Sequence, residues 1–173
     1  FLEFSAIRSQ ICSFFLDASG SRGVINEIVT NTGGQLQAGQ TLHIDTATLT
    51  SDGTLTSSGD LTLNMQGDYT NSGNIRVAAA THFTTTGTFT NLAQWIAGTT
   101  LTLNASNLDN TVNGELSAAL GTTLNITNLL TNRGLIDGTT TLIFANTLTN
   151  TGTGRLYGDP LATQPTTLNH LNQ

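Results

Sequence analysis

Apolar side chains recur along this chain at alternate positions, and the alternating groups themselves return about every twenty residues. A branched aliphatic residue follows a Gly-containing or similar turn at Leu36, Leu55, Ile75, Ile96, Leu116, Ile136 and Leu156, at intervals of 19 to 21 residues. Two positions later stands a mostly small residue: Ala38, Ser57, Val77, Gly98, Ala118, Gly138 and Gly158. Alternation of period two marks a strand with one buried face, so the aliphatic set predicts a core column. A second alternating pair follows at Leu42 and Ile44, Leu61 and Leu63, Thr81 and Phe83, Leu101 and Leu103, Leu124 and Ile126, and Leu142 and Phe144. A third apolar site, predicting a third strand, recurs at Leu49, Tyr69, Phe89, Leu108, Leu130, Leu148 and Leu168, with Val29 before them.

Directly after the third site an Asn or Ser recurs at Asn31, Ser51, Asn71, Asn91, Asn110, Asn132 and Asn150. Gly33, Gly53, Gly73, Gly134 and Gly152 follow in most units, which marks a turn. Asn tolerates turn conformations, and its carboxamide can pair with that of the Asn one unit on. These seven residues are therefore expected to form a structural turn ladder.

Three strands and three turns in twenty residues leave no room for a helix, because a β-α-β unit needs about thirty residues. A leucine-rich repeat shares the period but requires a different Leu and Asn frame with a helical or 3-10 convex side. Here Thr fills those positions, and β-branched Thr favours the pleated conformation. The fold class expected is all-β: a right-handed parallel β-helix of about seven to eight coils, each of roughly twenty residues and three short strands. One such coil cannot bury a core alone, so the units must stack along one axis.

Composition sharpens this picture. Charged residues are 9% of the 173 and hydrophobic residues 37%, the balance being dominated by Thr, Asn, Ser and Gly. The outer surface is thus polar but uncharged. The five basic residues, Arg8, Arg22, Arg76, Arg133 and Arg155, are scattered, and the formal charge is −6. Neither nucleic acid nor an anionic membrane surface is an expected partner. Single Cys12 rules out an internal disulfide framework. The longest apolar run, Ile11 to Leu16, is too short for a transmembrane segment.

Units of the form T-N-x-G-x-L-x-A followed by L-x-L, as in Thr30 to Ile44, Thr70 to Phe83 and Thr131 to Phe144, resemble the repeats of filamentous-haemagglutinin and haemolysin-like exoproteins. The Arg155-Leu156-Tyr157-Gly158-Asp159 stretch shares the resemblance, which extends over residues 16 to 169 or so. It implies a segment of a large secreted or surface-bound Gram-negative adhesin. Such proteins use two-partner secretion through a dedicated outer-membrane partner, and they include the stalks of contact-dependent growth-inhibition effectors. It implies too a distal adhesive or toxin region, and a cell-surface receptor or glycan as a candidate partner. No NPNG-type secretion motif and no toxin-like tail are seen, so the piece reads as mid-filament, truncated at both ends.

Residues 1–15 do not fit the repeat and are expected to be a non-repeat segment or partial cap. Residues 16–173 are expected to form the β-helical domain, with Leu16 one period before Leu36. Pro160 and Pro165 each remove a ladder donor, which predicts a bulge or loop.

The search for chemistry yields no catalytic, cofactor-binding or metal residues. His43 and His82 occupy equivalent outward positions two coils apart with Thr62 between them, about 10 Å by strand spacing, too far to share a metal. Asp45, Asp60, Asp68, Asp109 and Asp137 fall in different columns, and there is no lysine. A polysaccharide lyase or hydrolase would need converging carboxylates. Alternative readings are a glycan-binding or an ice-binding β-helix. For the latter, Thr84, Thr86 and Thr88 form a suggestive row, but their counterparts Asn104, Ser106 and Leu108 break the column.

Overall fold

A computed structural model describes residues 9–10, 13–16, 21–24 and 28–170. The chain is a parallel β-solenoid of about 7 turns, and the described residues contain no helix. Every strand pair is parallel and joins elements about one period apart: Gln35–Ala38 pairs with Thr54–Ser57, that with Ile75–Val77, and that with Gln94–Ala97. The second strands (Leu42–Thr46, Leu61–Met65, Thr81–Thr85, Thr100–Ala105) and the third strands (Thr48–Ser51, Tyr69–Asn71, Thr88–Asn91, Asn107–Asn110) stack in the same way. In the last coils the strands run together into Glu115–Asn132 and Leu135–Asn150, with register shifts where the chain turns a corner.

In-register stacking sets like on like. The first-strand column runs Leu36, Leu55, Ile75, Trp95, Leu116, Ile136 and Leu156. Ile96 is not in it. It pairs with Arg76 and Ser117 on the outward side, and Trp95 is the buried residue. A one-residue slip exchanges the two faces of a strand, and the small neighbour in this coil is accordingly Ala97, not Gly98.

The second strand carries three inward positions rather than two. Thr46, Met65, Thr85, Ala105, Ile126 and Ala145 form the third of these columns, all buried. In the sixth repeat the inward set is Thr141, Ile143 and Ala145, while Leu142 is half-buried and Phe144 is exposed. The corner explains this correction. Two residues separate Gly138 from Thr141, whereas three separate Ala118 from Thr122, and the shorter corner rotates the strand by one position. Glycine permits that corner, since a Cβ on Gly138 would lie 2.8 Å from the Thr140 carbonyl and 2.9 Å from the Thr122 amide.

The first described strands extend the ladder toward the N-terminus. Ser9–Gln10 pairs with Val29 and Thr30, and Ser13–Leu16 with Gln35 to Ala38. Residues assigned to a non-repeat segment therefore join the sheet, and Phe14 rather than Leu16 stands against Leu36. Residues 1–8 and 11–12, and with them Arg8 and Cys12, lie outside the described residues, so the cap expected there is not described.

The third-strand column, from Val29 through Leu49, Tyr69, Phe89, Leu108, Leu130 and Leu148 to Leu168, keeps the expected register. In its middle coils the core is aromatic. Tyr69 and Phe89 stack at 5.6 Å and 7°, while Phe83 lies 5.0 Å from Phe89 and 5.2 Å from Trp95 in tilted geometry. Such offset and tilted pairs add to simple area burial. Thr81 supplies a smaller inward side chain between Leu61 and Leu101 here, which offsets the ring volume. The Tyr69 hydroxyl and the Trp95 indole N–H are buried without a hydrogen-bond partner, and burial alone pushes the Tyr69 phenol well above its ordinary pKa.

At the corner after the third strand lies the column Asn31, Ser51, Asn71, Asn91, Asn110, Asn132 and Asn150. From Asn71 onward it is a continuous chain of carboxamides. Each Nδ2 donates to the next Oδ1, at 2.9 Å from Asn71 to Asn91 and from Asn91 to Asn110, then at 2.8 Å to Asn132 and to Asn150. In Asn91, Asn110 and Asn132 the Nδ2 also caps a corner carbonyl, that of Glu115, Leu135 and Arg155 respectively, and Asn150 Nδ2 at the end of the chain donates to the Gly154 carbonyl. Ser51 stands where the next carboxamide would be, and the buried Oδ1 of Asn71 accepts no hydrogen bond. The ladder needs the backbone to close over it. A Cβ on Gly134 would lie 2.1 Å from the Gly114 carbonyl oxygen and 3.1 Å from Asn110 Nδ2.

Asn110→Ala leaves the Oδ1 of Asn132 and the Leu135 carbonyl without their donors. The expected loss is about 2 to 4 kcal/mol in denaturant unfolding, since each orphaned buried polar group costs about 1 to 3 kcal/mol. Tyr69→Phe should stabilise the fold by about 1 kcal/mol at neutral pH by removing an unpaired buried hydroxyl. The same variant tests the titration. Above the ordinary tyrosine pKa of 10.0 the unfolded chain loses a proton that the folded chain retains, so wild-type stability falls as pH rises, by about 1.4 kcal/mol per unit from this residue. Urea melts between pH 8 and 11 should show this contribution absent from Tyr69→Phe.

Candidate functional site

With the core and the corner ladder committed to stacking, any site must lie on outward positions. Three of the acidic residues there prove to be structural. Asp60 Oδ1 accepts from the Ala80 amide at 3.0 Å, Asp68 Oδ1 from the Thr88 amide at 2.7 Å, and Asp52 Oδ1 from the Gly33 amide at 2.5 Å. Each carboxylate bridges one coil to its neighbour at a corner. Asp109 accepts from a single Arg133 nitrogen through both oxygens, at 2.5 and 2.7 Å. Their side chains are 36% and 43% exposed, so this pair adds little to stability.

His43 and His82 flank Thr62 in one outward column, as their spacing predicts. His43 Nε2 lies 2.8 Å from Asp45 Oδ2, and Asp45 Oδ1 accepts from Asn64 Nδ2 at 2.7 Å. That gives one imidazole and one carboxylate, short of a metal site. Among the described residues no three His, Cys, Asp or Glu side chains gather. The side chain of His170 lies outside what is described.

A second outward column on the same face is a polar ladder. Asp45, Asn64, Thr84, Asn104, Asn125, Phe144 and Gln164 pair in succession. Asn64 donates to Asp45, Asn104 to Thr84 Oγ1 at 3.2 Å, and Asn125 to Asn104 Oδ1 at 2.8 Å. The bonds thus form two runs, one from Asn64 to Asp45 and one from Asn125 through Asn104 to Thr84, and the second run stops at Phe144. Its ring is 38% exposed and borders a shallow open depression of about 450 Å³, lined also by Asn125, Thr127, Asn146 and Gln164. Sequence reasoning placed Phe144 in the core; the short corner at Gly138 was the signal that could have turned it outward.

The third strands present outward threonines. Thr70 pairs with Thr90, and Thr131 with Thr149, but Asp109 stands between these two pairs. Thr88 has Asn107 as its partner, not Leu108, because Leu108 faces inward against Phe89.

Three stretches of the chain, residues 15–64, 44–93 and 96–158, match the haemagglutinin repeat. Neither a curated protein nor a solved structure matches the chain. The family is one of structural and adhesin proteins rather than enzymes, and its repeats span nearly all of the coils whose columns and corner ladder are described above. The chain belongs to the haemagglutinin-repeat family, as a filamentous adhesin-type structural segment.

Proposed function

We propose that this chain is a length of filament in a large Gram-negative exoprotein, exported through an outer-membrane secretion partner and displayed at the cell surface or released. Its task there is to hold a distal adhesive or toxin region away from the cell and to offer an uncharged polar face to receptors or glycans. The observation that carries this reading is the unbroken coil-on-coil ladder, in which the buried asparagines and most of the outward acids are used for stacking. Two further features suit export. A single cysteine leaves no disulfide framework to form before passage, and contacts about one coil apart in sequence let the array grow coil by coil as the chain emerges. The distal region and the secretion route rest on the family's habits. The contact-dependent growth-inhibition role is one form of the same proposal.

In cells producing the whole gene product, an antibody raised against this segment should stain intact bacteria only when the outer-membrane partner is present. Staining independent of the partner, or found only after lysis, would overturn the proposal. A water-ordering reading draws on the outward threonines, but Asp109 and Asn107 interrupt the array. Purified segment is accordingly expected to show no thermal hysteresis; a measurable freezing gap would favour ice binding instead.

A further inference from the structure

The depression beside Phe144 departs from its surroundings in two independent ways. Along the outward column each carboxamide from Asn64 to Asn125 is used by the coil before it, until the column meets a phenyl ring. The ring cannot donate to Asn125, whose Oδ1 is left without a partner among the described residues. The carboxamides of Asn146 and Gln164 likewise make no hydrogen bond with another described residue. An exposed aromatic ring in a column otherwise made of polar side chains is the informative kind of exposure. Unspent donors and acceptors gathered round it make up the polar part of a small-molecule site.

The chemistry of this lining selects a class of ligand. No ionisable side chain lines the depression, so neither an anion nor a cation finds a counter-charge. A flat apolar face of about one ring, edged by planar carboxamides and the Thr127 hydroxyl, complements a molecule with one C–H-rich face and a rim of hydroxyls. The negative face of the phenyl ring attracts polarised C–H groups, and the amides offer both donors and acceptors to equatorial hydroxyls. We propose that this depression, spanning three consecutive coils around Phe144, Asn125, Asn146 and Gln164, binds a neutral pyranose ring of a surface glycan. The proposal rests on the adhesive part of the function above and gives it a location.

Phe144 is outward-facing, so Phe144→Ala removes the platform without opening the core, which a thermal melt within about 2 °C of wild type would verify. The probes are an array of neutral oligosaccharides and saturation-transfer NMR with the methyl glycosides of glucose, galactose, mannose and N-acetylglucosamine. Wild-type segment should give array signal and saturation transfer to at least one glycoside. Phe144→Ala and the pair Asn146→Ala with Gln164→Ala should each weaken binding about tenfold or more, equivalent to 1.4 kcal/mol, while His82→Ala on the same face leaves it unchanged. Saccharide binding that survives Phe144→Ala overturns the site but keeps an adhesive face. Absence of any saccharide response overturns the site, and failure to bind host cells as well would remove the adhesive reading, leaving a spacer. Binding only of charged saccharides, or of a hydrophobic peptide, would equally overturn it.

Discussion

The structure depends on one constraint: residues a coil apart stand directly against each other in parallel register. From it follow the aliphatic columns, since an apolar residue is buried only if its counterparts above and below are apolar too. The carboxamide chain follows as well, because an Asn Nδ2 can meet the next Oδ1 at 2.8 to 2.9 Å only when successive corners superpose. So does the intolerance of Cβ atoms at Gly73, Gly98 and Gly134, where the preceding coil's carbonyl oxygen lies 1.9 to 2.1 Å from the position a Cβ would take. Parallel sheets give up some hydrogen-bond stability per residue relative to antiparallel ones. This array recovers stability by satisfying corner backbone groups with side chains, as Ser57 does for the Gln40 carbonyl and Thr122 for that of Asp137.

Spacing alone made the solenoid legible, because seven returns of one pattern admit few other folds. The positions that resisted it share a physical cause. Adjacent apolar residues leave the inward member undetermined, and Trp95-Ile96 and Leu142-Ile143 are both such pairs. The Asn ladder resolves the first. Three residues separate Ser51 from Leu55, Asn71 from Ile75 and Asn91 from Trp95, so counting from the corner finds the indole where counting from the previous aliphatic residue finds Ile96. Corners are where the count fails, since they lengthen freely. Thr111 to Gly114 and Thr151 to Gly154 each insert a turn closed by the glycine amide on the threonine carbonyl, at 2.8 and 3.0 Å.

The candidate site was less legible than the fold, for a related reason. Composition said that the outside is polar and uncharged, but which polar groups are already bonded to a neighbouring coil depends on register to the residue. Asp52, Asp60 and Asp68 look alike in sequence to free surface acids, yet each holds the amide of another coil. Once those bonds are subtracted, these corner acids are spent on stacking and offer no carboxylate to a partner.

In an array whose every coil repeats the last, information can reside only where repetition breaks, and the breaks here are of two kinds. Inside, the cluster of Tyr69, Phe83, Phe89 and Trp95 replaces aliphatic residues with rings that remain fully buried, so this break alters packing and nothing a partner could touch. Outside, the short corner at Gly138 turns Phe144 into a column of amides and hydroxyls, beside an Asn125 Oδ1 and a Gln164 carboxamide that bond to no other described residue. A repeat could restore the stacking there with one more residue at the corner or a polar side chain at Phe144. It does neither, and the outcome is an exposed ring standing in a column of polar side chains.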